Sequence, residues 1–433
     1  MEQPLPARQD VLAIVARSAS AEVARLKEIE ANPSVTPARG RWPINTNWIS
    51  ATFFVGAMKL ADVAAVPDVL DFSLHTARRF NHAHQGDGAP VHLINADDQA
   101  IGDLYQAIYL RTGSPGVLMP LKQRLDYTVP YLTFMPQPDK LVWWWCDSLF
   151  MAPPVLARMS VITGDPKYLH AMDVQWWRTY EKLYDKEQHL YARDARFIDR
   201  RSANGRKIFW ARGEGWVLAG LARVLEVMPA DFPSRPRYVA LFQEMAARIA
   251  SLQQDDGLWR ASLLDTQAFP EPETSGTAFY TYALAFGINH GLLDRSAYLP
   301  VVLKGWEGLN RYVLPSGILG QVQSAGDQPV PTRRETTALY SSGGFILAGL
   351  EVADLGRPVT ALPIALPTPP ALAYHASDMR DVPIPPDATP EVARELTRRA
   401  AERQAVQDLA FDPMVADPQY RSPVEGKWVG GKP

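Results

Sequence analysis

The sequence predicts an all-α protein: an (α/α)6 barrel, with six inner helices surrounded by six outer helices, followed by a proline-rich C-terminal extension. Three observations predict this fold. Helical periodicity dominates the chain, and strand alternation is scarce. A helix rich in small and apolar residues recurs six times, at a spacing of about 50 to 67 residues. Amphipathic helices lie between these repeats, for example over residues 166–185 and 235–254.

The six small-residue helices are predicted to form the inner ring. A helix that is apolar on all sides has to be buried, and an amphipathic helix can cover it from outside. The predicted inner helices begin at Asn47, Asp97, Asp147, Gly213, Thr274 and Ser341.

A second repeat supports this arrangement. Residues 183–193, 252–262 and 313–323 each give a polar turn, a leucine or isoleucine and a short segment, and they precede inner helices four, five and six. We therefore expect the inner-helix N-termini and the loops before them to line one open end. The positive ends of helices favour anionic ligands there.

The chain is predicted to divide near residue 356. Residues 1–356 would form the barrel, and residues 357–433 a C-terminal extension. Nine prolines between residues 357 and 390 exclude regular helix there, and residues 390–411 read as one charged helix. The extension could pack on the barrel or reach a second copy of the chain, so a homo-oligomer is possible.

Composition limits the partners that the protein can have. The net charge of −3 over 433 residues argues against nucleic-acid partners and anionic membrane surfaces. A single cysteine excludes an intramolecular disulfide and a cysteine-rich metal site. No window approaches the ~20 apolar residues that cross a bilayer. No signal peptide is visible, so we expect a cytoplasmic or periplasmic protein.

No motif for a metal, a phosphate-binding loop or a nucleophile elbow occurs. We therefore expect no metal and no cofactor, and acid–base chemistry by carboxylates. Asp147 follows three tryptophans and Cys146, and a carboxyl among aromatic rings is a good general acid because burial raises its pKa. Its alternative role is helix N-cap. Asp97 and Asp98 begin the preceding inner helix at the same end of the barrel. They are candidates for the same chemistry, and helix capping is again the alternative role.

Other side chains at this end are candidates for substrate binding. Trp210, Arg212 and Trp216 open inner helix four, and an arginine between two tryptophans can hold a sugar carboxylate while a ring stacks on the sugar. A packed cation–π corner is the alternative. Thr274 and Ser275 open inner helix five, where capping is the alternative. Trp145 lies beside Asp147.

One short motif points to a different class of enzyme. Residues 253–259, "QQDDGLW", match a repeat of terpene cyclases, which also use (α/α)6 barrels. A single copy is a weak signal, and "NADDQ" at residues 95–99 is not the aspartate motif of those enzymes.

Four segments together resemble glycoside hydrolase families 105 and 88, the unsaturated rhamnogalacturonyl and unsaturated glucuronyl hydrolases. They are residues 143–169, 209–226, 252–265 and 272–293, and the resemblance extends from about Trp42 to Leu355. It implies an (α/α)6 barrel that acts on oligosaccharides left by polysaccharide lyases. Such substrates end in an anionic uronic acid with a C4=C5 double bond.

The resemblance also implies roles for individual residues. Asp147 matches the aspartate that protonates C4 before water adds at C5, and either Asp97 or Asp98 matches a second aspartate. Trp210, Arg212 and Trp216 match a Trp-x-Arg-x-x-x-Trp motif of the substrate pocket. Arg193 or Arg196 stands where some members have a pocket histidine. An ordinary two-carboxylate glycosidase and a non-catalytic oligosaccharide-binding barrel are the alternatives.

Overall fold

The structure, a computed structural model, describes residues 4–31, 45–84, 90–133 and 141–370. In chain order its helices are α1 (Arg8–Ala31), α2 (Trp48–Val63), α3 (Pro67–Arg79), α4 (Pro90–Leu93), α5 (Ala96–Gln99), α6 (Gly102–Thr112), α7 (Pro115–Thr133), α8 (Ser148–Met151), α9 (Pro153–Thr163), α10 (Lys167–Leu183), α11 (Ala211–Val227), α12 (Arg235–Ser251), α13 (Thr274–Asn289), α14 (Arg295–Asn310) and α15 (Leu339–Asp354). Four two-residue strands accompany them: β1 (Tyr184–Asp185), β2 (Leu190–Tyr191), β3 (Trp259–Arg260) and β4 (Pro272–Glu273).

Twelve of these helices build the predicted (α/α)6 barrel. Helices α2, α6, α9, α11, α13 and α15 pack side by side in a closed inner ring, in which α15 contacts both α13 and α2. Helices α1, α3, α7, α10, α12 and α14 alternate with them along the chain and lie outside. The inner helices are buried on nearly all sides, and in α13 every residue from Thr274 to Ile288 is buried. The fold prediction is confirmed.

Small residues in the inner helices allow close backbone contacts. A Cβ atom added at Gly343 of α15 would lie 2.3 Å from the carbonyl oxygen of Thr52 in α2. One added at Gly220 of α11 would lie 2.3 Å from the carbonyl oxygen of Leu149. Side chains at these positions would force the ring apart, so the small-residue repeat in the sequence has a packing cause.

Inner helices two and three differ from the continuous helices that the sequence predicts. The segment from Asp97 forms the short α5 and then α6, and the segment from Asp147 forms α8 and then α9. In the second case Pro153 and Pro154 begin α9, and a proline lacks the N–H that would continue the preceding turn. Both breaks lie at the end of the barrel that carries the candidate carboxylates.

The repeated loop segments lie against the starts of the inner helices. β1 and β2 form an antiparallel hairpin in which Tyr184 faces Tyr191. Isolated bridges join Trp145 to Asp194 and Trp210 to Ser262, so each loop is tied to the residues that open an inner helix. This end of the barrel is therefore built from backbone pairings between loops that are distant in sequence.

The start of the predicted extension lies against the opposite end of the barrel. The N–H of Thr360 donates to the Asn289 carbonyl at the end of α13 (2.9 Å), and that of Ile364 donates to the Glu226 carbonyl near the end of α11 (2.7 Å). The charged helix predicted at residues 390–411, and with it any oligomer contact through it, lies outside the described residues. Within the described ranges, no helix is both long and apolar enough to cross a membrane.

Candidate active site

Asp147 is a buried carboxyl that does not cap a helix. It precedes α8 with helical backbone angles (φ −59°, ψ −31°), and its side chain makes no capping hydrogen bond. Only 7% of the residue is exposed. Its Oδ2 accepts a hydrogen bond from Arg193 Nε (3.1 Å), and the Cys146 thiol lies 3.7 Å from the same oxygen. The geometry therefore does not support the capping alternative.

The surroundings of Asp147 keep its carboxyl protonated more readily than usual. Burial raises the pKa of Asp147 above its ordinary value. The positive charges of Arg193 and Arg212 oppose this rise, Arg193 the more strongly. The raised pKa suits Asp147 to act as a general acid, and Arg193 is placed to stabilise the carboxylate after the proton has left.

Asp97 lies within reach of the charge of Asp147, whereas Asp98 pairs with a histidine. Burial, followed by the negative charges of Asp147 and Asp98, raises the pKa of Asp97 to about 8. Asp98 instead accepts a hydrogen bond at 2.8 Å from Nδ1 of His92, and this contact raises the pKa of His92. The capping residue of α5 is Asn95, whose side chain accepts from the Asp97 N–H (2.8 Å).

Trp145 and Arg193 complete the immediate surroundings of the carboxyl pair. Trp145 is 3% exposed, and its side-chain hydrogen bond to Asp97 opposes the rise in the pKa of that carboxyl. Arg193 also lies 5.7 Å from the ring of Trp144. The Arg193 carbonyl accepts from the Cys146 N–H at 2.8 Å, which places the arginine beside the strip that carries Asp147. Arg196 does not reach Asp147; it pairs with Asp194 and Asp327.

Arg212 lies between Trp210 and Tyr340, not between Trp210 and Trp216 as the sequence suggests. Its guanidinium carbon is 4.4 Å from the Trp210 ring centre and 4.7 Å from that of Tyr340. The residue is fully buried and donates to the carbonyls of Gln323 (2.9 Å) and Ser324 (2.8 Å). In this structure Arg212 holds a loop in place and acts on Asp147 through its charge.

The other predicted binding residues are also turned into the protein. Trp210 is 2% exposed and donates to the Gln323 side chain (3.0 Å). Trp216 has no exposed surface and packs on Phe279 and Phe150, with ring centres 4.4 and 4.8 Å away. One turn of α11 separates Trp216 from Arg212, and it directs the ring into the core.

Thr274 and Ser275 are fully buried, and their hydroxyls bond within the protein. Thr274 donates to the Gly320 carbonyl (2.7 Å), and Ser275 donates to Glu273 (2.5 Å). The N-cap of α13 is Glu273, which accepts from the N–H groups of Ser275 and Gly276. These residues therefore shape the start of α13, close to Arg212, and expose no hydroxyl to a ligand.

The structure adds two buried carboxyls that sequence reasoning did not select. Asp194, 1% exposed, follows Arg193 directly and binds it. Glu214, in the first turn of α11, has no exposed surface; one of its oxygens accepts from the Tyr191 N–H (2.8 Å), and burial raises its pKa well above the ordinary value. The arginine–aspartate alternation in "ARDAR" was the visible signal for Asp194. In the described part of the chain, no group of three or more histidine, cysteine, aspartate or glutamate residues is placed to hold a metal ion.

Comparison with known sequences identifies relatives over most of the barrel. The family model described as glycosyl hydrolase family 88 matches residues 16–355. An unsaturated 3S-rhamnoglycuronyl hydrolase of Formosa agariphila is 39% identical over 326 residues, which are 72% of this chain and 85% of that protein. A protein of the same name from an Alteromonas species is 34% identical over 321 residues, or 70% of this chain and 77% of the relative.

Solved structures share the architecture. A glycosyl hydrolase family 88 protein from Bacteroides vulgatus has a TM-score of 0.69 and 28% identity, and the match covers 81% of this chain and all of that one. A structure named as a polysaccharide lyase has the same TM-score at 30% identity, with 80% of this chain and 97% of that chain covered. Because the family model spans most of the chain and two relatives exceed 30% identity over most of its length, this protein belongs to glycosyl hydrolase family 88 and is a glycoside hydrolase.

Proposed function

We propose that the protein removes a terminal 4,5-unsaturated uronic acid from oligosaccharides produced by polysaccharide lyases. The observation that supports this most directly is the setting of Asp147: the residue is 7% exposed, makes no capping hydrogen bond and accepts a hydrogen bond from Arg193 at 3.1 Å. The raised pKa values of Asp147 and Asp97 agree with this role. Two relatives are named unsaturated 3S-rhamnoglycuronyl hydrolases, and this name points to an aglycone that begins with rhamnose. We propose this sugar as the first substrate to test.

The proposed reaction begins with proton transfer to carbon. Asp147, in its protonated form, gives its proton to C4 of the vinyl ether, and positive charge develops at C5 and the ring oxygen. Water then adds at C5 and returns a proton to the Asp147 carboxylate. The resulting hemiketal opens, and the remaining sugar leaves from C1. Protonation of carbon is slow, so an acid with a raised pKa in a fixed position is needed.

The neighbours of Asp147 have separate proposed roles. Arg193, bonded to Asp147 at 3.1 Å, stabilises the carboxylate once the proton has left. Asp97, whose pKa is raised to about 8, stays protonated near neutral pH and can donate a hydrogen bond to the sugar. Trp145 supports Asp97. Arg212 contributes positive charge. Asp98 pairs with His92, and the buried residues Trp210, Trp216, Thr274 and Ser275 pack the starts of α11 and α13.

The test uses the absorbance of the substrate. Unsaturated uronides absorb near ~235 nm, and hydration removes this band. We expect Asp147→Asn to keep the fold and lose about 10²–10⁴-fold in kcat, the usual contribution of a general acid. Asp165→Asn, a change of the same type at a residue whose side chain is 39% exposed, is the matched control and should retain activity.

Two results would reject the proposal. One is the absence of any absorbance loss across a panel of lyase products that includes a rhamnose aglycone. The other is near-wild-type turnover by a folded Asp147→Asn protein. The sign of the signal also tests for polysaccharide lyase activity, the activity for which one similar structure is named. A lyase acting on intact polysaccharide creates the double bond, so the absorbance near ~235 nm would rise.

A further inference from the structure

A chain of alternating charges runs from the proposed acid to the protein surface. Asp147 binds Arg193 (3.1 Å), Arg193 binds Asp194 (2.9 Å), Asp194 binds Arg196 (2.8 Å) and Arg196 binds Asp327 (2.7 Å). The side chains of the first three are 10%, 14% and 2% exposed, and the last two are 48% and 37% exposed. The inner three residues therefore interact with little screening by water.

Asp194 is the fixed centre of this chain. Its Oδ2 accepts from Arg193 Nη1 (2.9 Å) and from Arg196 Nη2 (2.8 Å). Its Oδ1 accepts from Arg196 Nε and from the Arg196 backbone N–H, each at 2.9 Å. The backbone of Asp194 also pairs with Trp145, two residues before the acid. Burial raises the pKa of Asp194, but the hydrogen bonds and charges of Arg196 and Arg193 outweigh burial and lower the pKa below its ordinary value.

Arg193 has one positive charge and two carboxyl partners. Its Nε binds Asp147, while its Nη1 binds Asp194. Because the lowered pKa of Asp194 favours its ionised form, its negative charge offsets part of the attraction that Arg193 exerts on Asp147. Without Asp194, the guanidinium would be the undivided counterion of Asp147 and would favour its ionised form more strongly.

We propose that Asp194 is a positioning residue for the general acid: it shares Arg193 with Asp147, fixes the guanidinium in place and limits how strongly that cation stabilises the Asp147 carboxylate. This inference rests on the proposed function, because it takes Asp147 as the acid. It assigns Asp194 no contact with substrate.

Four groups of the described chain act on Asp147 from the elements around it. Arg193 approaches from the loop after β2, Arg212 from α11 and Asp97 from α5, and the Cys146 thiol precedes Asp147 in the chain. Of these, Arg193 alone is bonded to Asp194. A change at Asp194 should therefore reach Asp147 through Arg193.

The test is the pH dependence of kcat/KM for Asp194→Asn on an unsaturated disaccharide. Asparagine keeps an oxygen for Arg196 and removes the charge. An acid acts while it is protonated, so activity falls as pH rises through the pKa of the carboxyl pair. We call this fall in activity at high pH the basic limb of the profile. We expect it to shift to lower pH by about 0.5–1 unit, which is smaller than the shift caused by a charge bonded directly to the acid.

Three companion variants separate the proposed role from a general loss of structure. Arg193→Gln removes the counterion and should shift the basic limb in the opposite direction, to higher pH. Asp194→Glu keeps the charge and should leave the limb near its wild-type position, whatever its effect on kcat. Asp327→Asn breaks the outer end of the chain only and should not move the limb.

Each outcome supports or overturns the proposal. A basic limb that stays in place in folded Asp194→Asn, or activity that falls equally at every pH, overturns it. If the asparagine variant does not fold, Asp194→Ser removes the same charge and is judged by the same criterion. If Asp147→Asn retains turnover, Asp147 is not the acid and the proposed function fails. If Asp147→Asn loses turnover but the basic limb of Asp194→Asn does not move, only the proposed role of Asp194 is rejected.

Discussion

Asp97 and Asp98 are neighbours in sequence with different surroundings. The pKa of Asp97 is raised to about 8 by burial and by the charges of Asp147 and Asp98, whereas Asp98 is bonded to His92. Successive residues of a helix point in different directions, so Asp98 meets His92 while Asp97 does not. We therefore propose Asp97, and not Asp98, as the second carboxyl of the reaction.

The raised pKa of Asp97 implies a cost in stability at higher pH. The folded state keeps the proton up to about pH 8, while the unfolded chain loses it near the ordinary value of 3.8. Between these values the folded state binds more protons, so its stability falls as pH rises. Asparagine cannot ionise, and Asp97→Asn should therefore raise the melting temperature.

The gain should be larger at pH 8 than at pH 5, with a difference of about 2 °C or more between the two. Thermal melts of wild type and variant at the two pH values measure it. An equal change at both pH values would show that Asp97 ionises normally in the folded protein. Asp98→Asn, measured in parallel, tests whether the effect belongs to Asp97 specifically.

The inner helices show how composition controls the barrel at the scale of an element. Their small residues let neighbouring backbones approach, as at Gly343 against Thr52 and at Gly220 against Leu149. The outer helices carry larger amphipathic faces and fill the grooves between inner helices. The radius of the inner ring, and so the spacing of the residues at its mouth, depends on these glycines.

We expect Gly343→Ala to destabilise the protein. The new Cβ would stand 2.3 Å from the Thr52 carbonyl oxygen and 2.7 Å from its carbon, both of them backbone atoms that cannot rotate away. Overpacking of this kind costs about 1–3 kcal/mol. Chemical denaturation measures the loss in the free energy of unfolding.

Gly116→Ala is the matched control for that experiment. Gly116 lies in α7, and an added Cβ would have no atom within 4 Å. Alanine is the better helix former by up to about 1 kcal/mol, so this variant should be neutral or slightly more stable. A loss at Gly116 equal to that at Gly343 would contradict the packing argument.

Across the whole molecule, the two ends of the barrel have different constructions. One end carries the carboxyl pair and the loops that precede the inner helices. The other carries buried ion pairs between Asp103 and the arginines 158 and 223, and is covered in part by residues 364–367. These last residues line a cavity together with Lys59 and Glu226. We therefore propose that the segment from residue 357 to residue 370 belongs structurally to the barrel, beyond the boundary predicted at residue 356.

A truncation series tests this contribution. A chain ending at residue 356 loses the hydrogen bonds of Thr360 to Asn289 and of Ile364 to Glu226, and it exposes the covered cavity. A chain ending at residue 370 keeps both bonds. We expect the shorter chain to melt at a lower temperature than the longer one. Each lost hydrogen bond should lower the free energy of unfolding by about 0.5–1.5 kcal/mol. Equal melting temperatures would place the structural boundary at residue 356.

The sequence by itself determined the barrel, the position of the inner and outer helices and the place of Asp147 at the mouth. These features depend on periodicity and on repeated local patterns, which a linear chain displays directly. The breaks in inner helices two and three were missed, although Pro153 and Pro154 mark one of them.

Only the tertiary structure decided which partners the charged residues have. Arg212 meets Tyr340 and the carbonyls of Gln323 and Ser324, which are more than a hundred residues away in sequence. Arg193 reaches Asp147 because a loop pairs with the strip before α8. Such contacts form only when the ring of helices closes. The electrostatic interactions that shift a pKa or hold a guanidinium depend on distance in space. Spacing along the sequence does not report that distance.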